Sequence, residues 1–203
     1  MNYLNTQTNF YPVSEDEIMA DNLNVAFGSP FNPPLPYKAV LPTSPPVVNP
    51  LTHYVRETHP VLGPDSEFIQ QWEIFEFSQE QKDQQLQIAR DAQWTAIKAI
   101  RDDKIINGGY KVGSNWFHSD LLSRSQQTAL VIMAANIPTD LNWKTMDGTF
   151  ITMTQTVAAD IFAAASDQAL FIHVEALRAQ VNAAEDPYSV DIYAGQPESY
   201  GDK

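Results

Sequence analysis

Proline placement constrains this chain more than any other feature. Eleven of the 14 prolines lie between Pro12 and Pro64, and only Pro138, Pro187 and Pro197 follow. Proline fixes φ, removes a backbone donor and drives the preceding residue toward extended geometry. Residues 1–52 therefore cannot hold a long helix, and their densest stretch, Pro30 to Pro50, reads as an extended arm of polyproline-II character. A solvated linker is the alternative, but such linkers are poor in large apolar side chains. This segment carries Tyr3, Phe10, Tyr11, Phe27, Phe31 and Tyr37. The expectation is an arm docked on a partner, with those aromatics and Pro33, Pro34 and Pro36 as the contact residues.

Beyond the arm the pattern changes. Residues 53–77 hold two strand-like runs, His53–Thr58 and Phe68–Ile74, around a Gly63-Pro64-Asp65-Ser66 turn, a β-hairpin signature. Ser78 and Gln81 form a capping box, and no Pro or Gly interrupts the helix that should run to about Lys104. Leu86, Ala89, Gln93, Ala96 and Ile100 recur along it at 3,4 spacing. Such a stripe packs on its own domain or forms an oligomer seam, and period does not choose between them. Gly108-Gly109 stops the helix, and Tyr110–His118 reads as a hairpin across Gly113. A second capping box at Ser123 opens a helix to Asn136, in which the continuous run Leu130–Met133 implies burial on most sides. Asp147-Gly148 marks a third hairpin. Thr154 then caps an alanine-rich helix expected to reach about Glu185. The fold class is α+β, helices alternating with hairpins after an extended arm. The expected organisation is an arm over 1–52, a hairpin over 53–77, an α+β domain over 78–186 and an acidic tail over 187–203. Trp116, Phe117, Leu130, Ile132, Trp143, Phe150, Ile161 and Phe162 are its expected core.

Composition removes several function classes. Twelve Lys and Arg face 25 Asp and Glu, a net charge of −13. Binding to duplex nucleic acid by counterion release needs the opposite balance, and an anionic membrane surface would repel the chain. There is no cysteine, so disulfides, thiolate catalysis and zinc-thiolate sites are excluded. No signal peptide is evident and no spanning helix is expected, which points to a soluble protein made without export and without membrane insertion.

Catalytic constellations are weak. His118-Ser119-Asp120 contains the residue types of a hydrolase triad, but strand neighbours point to opposite faces and a triad needs two simultaneous hydrogen bonds. His53, Glu57 and His59 share strand parity, yet the ends of that run lie about 20 Å apart at strand rise, too far for one ion. Trp72, Trp94, Trp116 and Trp143 could build a sugar platform, although packing is the default for tryptophans in strands and helices. Ser14 before Glu15-Asp16-Glu17 reads as the cap of a short helix. No enzyme activity, metal or cofactor is expected.

The segment Asn107–Asp120, followed by Ser123–Gln127, Trp143–Phe150 and Ile161–Ala165 in this order, resembles an uncharacterised domain family of tailed bacteriophages found in tail fibre and tail fibre assembly proteins. The resemblance spans roughly residues 80–185, and Tyr54–Ile74 is similar to the region that precedes this domain. Gln196 stands where the family prefers Trp. The resemblance implies a structural component of the virion tail, in the fibre or its attachment to the baseplate, with other tail or fibre proteins as partners. It also implies a homo-oligomer, with a trimer following from a fibre axis. An assembly chaperone absent from the mature virion and a host receptor-binding module are the alternative roles.

Overall fold

Residues 1–197 are described by a computed structural model, in which the chain forms two units, Met1–Gln85 and the residues from Leu86 onward.

The first unit is built on a sheet. Strands β1 (Tyr3–Asn5), β2 (Phe10–Val13), β3 (Tyr37–Leu41), β4 (His53–Leu62) and β5 (Phe68–Glu76) pair in the order β2-β1-β3-β5-β4. Strand β3 is shared: residues 37–39 run antiparallel to β1, whereas Val40 and Leu41 pair parallel with β5. Helix α1 (Glu15–Asp21) follows β2 and starts where the sequence marks it. Ser14 Oγ accepts from Glu17 N, and the Glu17 carboxylate accepts from Ser14 N at 2.7 Å. Its Ile18 enters a small core with Tyr3, Val13 and Tyr37, flanked by Phe27 and Phe31. Tyr3 meets Phe31 edge-on at 5.5 Å.

The extended arm expected for residues 1–52 is therefore corrected. Proline excludes helix interiors and central strands, but Pro12 lies on the edge strand β2 and Pro30–Pro36 in the loop after α1. In those places a missing N–H breaks no ladder. Pro60 likewise sits in edge strand β4, where the register with β5 shifts between Thr58 and Val61. Residues 42–50 keep an exposed, irregular course, as does much of the loop after α1. Residues 42–50 run beside the sheet. They are fastened to β5 by Thr43 N on Gln70 Oε1 at 2.8 Å and by Trp72 Nε1 on Thr43 Oγ1 at 3.0 Å.

Helix α2 (Gln79–Asp103) contains the division between the units and opens with the Ser78–Gln81 box read from sequence. A π-helical turn, Lys104–Gly108, closes it. Gly109 follows at φ 75°, and a Cβ there would lie 2.8 Å from Phe117 O, so only glycine fits. Hairpin β6 (Tyr110–Val112)–β7 (Asn115–Phe117) leads into α3 (Leu121–Met133). Asp120, not Ser123, caps α3: its carboxylate accepts from Ser123 N at 3.0 Å. Hairpin β8 (Asn142–Lys144)–β9 (Phe150–Thr152) then precedes α4 (Gln155–Ala164), capped by Thr154.

The single alanine-rich helix expected to Glu185 is two helices. A break at Ala165–Asp167 separates α4 from α5 (Gln168–Ala183), with Asp167 left-handed at φ 55°. Residues 155–183 as a whole are long and apolar enough to cross a membrane, contrary to the expectation that no stretch of the chain is. The break and the inward face of α5 explain that apolarity otherwise: Leu170, Val174, Leu177 and Val181 are buried in the unit's own core. Ile97, Tyr110, Phe117, Leu130, Ile137, Met153, Ala158, Ile161 and Ile192 also belong to that core. Trp143 packs against it half-buried and Trp116 is half-buried. Ile132, Phe150 and Phe162 are 79%, 66% and 53% exposed, which corrects their assignment as core. Helix α3 presents one face inward, so a continuous apolar run necessarily leaves part of itself outside. Residues 187–197 are not a free tail either, since Pro187 and Ile192 are buried; Glu198 and Tyr200 lie outside the described residues.

Candidate functional site

The residues expected to bind a partner are divided between the core and the surface of the first unit. Tyr3 and Tyr37 are buried, with phenols donating to Glu15 at 2.9 Å and Asp21 at 3.0 Å. Tyr3 is a core residue of the first unit, and its assignment as a contact is corrected; Tyr37 belongs to the same core but also lines a cavity open to the surface. Tyr11 is half-buried and donates to Glu57. Burial, reinforced by the neighbouring carboxylate, pushes both Tyr3 and Tyr11 up to about 12. Phe27 and Phe31 stack at 5.1 Å. Pro33, Pro34 and Pro36 are half-buried, and the carbonyls of Pro34 and Pro36 accept from Tyr37 N and Thr6 N. Phe10, 61% exposed, remains open to a partner.

The oligomer seam is also corrected. Ala89 is buried, Ala96 and Ile100 pack on the main core, Leu86 is half-buried, and Gln93 Nε2 donates to Pro187 O at 3.1 Å. The 3,4 stripe faces its own chain, the alternative that spacing had left open.

The candidate catalytic and metal groups have other uses. Ser119 Oγ accepts from Gly109 N at 3.0 Å and donates to Ile106 O at 3.2 Å, bracing the π-turn. Asp120 caps α3, and the Ser123 hydroxyl and amide hold its carboxyl below the usual range. His53 meets Thr52 Oγ1, Glu57 meets Tyr11, and His59 Nε2 reaches Asn9 O at 3.1 Å. Among the described residues, no cluster of His, Asp and Glu has the arrangement of a metal site.

The polar hub of the second unit was barely signalled in the sequence. Arg124 of α3 donates Nη1 to Asp167 Oδ2 at 3.0 Å, Nη2 to Ile105 O at 3.0 Å and Nε to Ser119 O at 2.7 Å. Its guanidinium lies 5.0 Å from the Tyr110 ring centre. Burial pushes the Tyr110 phenol up to about 12 against the opposing influence of Arg124. One side chain thus ties α3 to the π-turn, the β7 exit and the α4–α5 corner. The available signals were an arginine on an apolar helix and an aspartate amid alanines.

Two concave places adjoin these elements. In the second unit a groove of about 310 Å³ runs between α3 and α4, past Arg124, Gln127 and Phe162. In the first unit a cavity of about 520 Å³ is walled by Phe10 and Val13 of β2, Glu17 and Asp21 of α1, and Tyr37 of β3. Glu17 and Asp21 are four residues apart, a spacing that places them on one helix face and could have marked them from sequence. Outside the cavities the surface is rich in large apolar side chains: Leu121, Leu122, Ile132, Phe150 and Ile172 in the second unit, Leu23, Leu35 and Leu62 in the first.

Residues 88–194 match the family described as Domain of unknown function (DUF4376). The chain belongs to this family. The matched segment covers the helices and hairpins of the second unit, the Arg124 hub included. No curated protein and no solved structure matches the chain.

Proposed function

We propose that this DUF4376 protein is a structural component of a bacteriophage tail, in the fibre or its attachment to the baseplate, that binds neighbouring tail proteins. The phage context rests on the resemblance of Asn107–Asp120, Trp143–Phe150 and Ile161–Ala165 to a phage tail domain family. The single observation that supports a binding role is the number of large apolar side chains left in water. Leu121, Leu122, Ile132, Phe150 and Ile172 are each more than half exposed on helices and hairpins of one unit. Extensive exposed apolar surface marks interaction sites. The polar residues that could carry chemistry are meanwhile engaged in caps, turns and the hub. Contact through these folded surfaces replaces contact through a free arm.

Quantitative mass spectrometry of purified particles from the element that encodes the chain tests this. A fixed whole-number ratio to the other tail proteins is expected. Presence during infection with absence from particles would sink the structural role and leave that of an assembly chaperone.

A further inference from the structure

We propose that the cavity between β2, α1 and β3 is a docking site for a basic side chain, Arg or Lys, carried with an adjacent apolar residue on a partner protein. The cavity of about 520 Å³ is several times a single side chain and within the range of built ligand sites. Its charged lining is Glu17 and Asp21, and the remainder, Asn5, Thr8, Val13 and Ala20 with the two aromatic rings, is uncharged. Each carboxylate is already oriented by one of its oxygens. Glu17 Oε2 accepts from Ser14 N and Oγ, both at 2.7 Å, and Asp21 Oδ2 accepts from the Tyr37 hydroxyl at 3.0 Å. Among the described residues no donor reaches Glu17 Oε1 or Asp21 Oδ1. Two fixed carboxylates with open oxygens, beside an exposed Phe10 ring and the Tyr37 ring, match a guanidinium or ammonium on an aliphatic stem.

Charge decides the occupant. Residues 1–85 carry three Lys and Arg against 11 Asp and Glu, and the chain as a whole is at −13. A second copy would bring a like field to the cavity mouth, whereas a basic segment of a different protein is drawn in. The proposal rests on the binding role above only in taking a protein as the ligand's source. Particle composition tests that role, and the following experiment tests the cavity alone, so the two can fail separately.

The full chain, labelled with ¹⁵N, is titrated with the capped peptide acetyl-Gly-Arg-Leu-amide and with its uncharged citrulline counterpart. Saturable shifts at Phe10, Asp21 and Tyr37 are expected with the arginine peptide alone. Asp21→Asn should weaken binding about tenfold, the scale of one charge-assisted hydrogen bond, and high salt should weaken it further. Ala20→Trp, on the exposed face of α1, should abolish binding by filling the mouth while leaving the spectrum folded. Equal binding of the citrulline peptide would overturn the charge-based reading. So would the absence of saturable shifts, or shifts that grow with protein concentration in the absence of peptide, which would mean a second copy fills the cavity.

Discussion

The two units meet the same problem, too little buried surface for so many apolar residues, with different means. The first holds a five-stranded sheet on a core of Tyr3, Val13, Ile18 and Tyr37, two of them tyrosines clamped to carboxylates. The second buries aliphatic faces of four helices and ties them through one arginine. A small core leans on directional polar contacts at its margin. A larger one tolerates loss at its margin but not at its centre or its hub.

The largest effect should fall at that centre. Ile161 is fully buried, so Ile161→Ala should cost about 4 kcal/mol. Hydrogen exchange should show the protection of the second unit collapsing while that of the first persists. Equal loss in both would mean that the units do not unfold separately. Arg124→Met keeps the stem but leaves the buried Asp167 carboxylate without its guanidinium. A cost of about 3 kcal/mol is expected, read in urea unfolding of the full chain.

Alkali should reverse the ranking. Tyr3 and Tyr11 stand at about 12 against an ordinary 10.0. A pKa raised on folding means that the contribution is complete below pH 10 and is lost as pH rises through 12. Among its described residues the second unit has one such phenol, Tyr110. Exchange protection of the first unit should therefore fall first between pH 10 and 12, and simultaneous loss would deny the tyrosine clamps their weight. Ser14→Ala should cost about 1 kcal/mol, confined to the first unit. Smallest of all, Ile132→Ala should change stability by less than about 0.5 kcal/mol; a larger loss would show that this exposed residue is covered in solution.

What was legible in the sequence was local. Ser14, Ser78 and Thr154 announce their helices because a cap depends on residues three apart, and Asp147-Gly148 announces its turn for the same reason. What was not legible depends on distant pairings. Residues 3–41 read as an arm because short strands, three to five residues long, carry no periodicity. Only pairing between segments distant in sequence, β1 with β3 and β3 with β5, makes them a sheet. The apolar run of α3 hid which face turns inward. The cavity combines α1 with strands on both sides of it in sequence; of its carboxylates, Glu17 was read as part of a favourable helix start and Asp21 was not singled out.

The left-handed Asp167 has a consequence for how the chain is made. Its partner Arg124 lies 43 positions earlier, and synthesis runs from the N-terminus, with segments folding as they emerge. When the long apolar stretch that begins at Gln155 leaves the ribosome, the residue that bends it is already outside and waiting. The instruction for the corner is thus delivered ahead of the corner itself, and the segment most at risk of straightening into one greasy rod is born beside its own template.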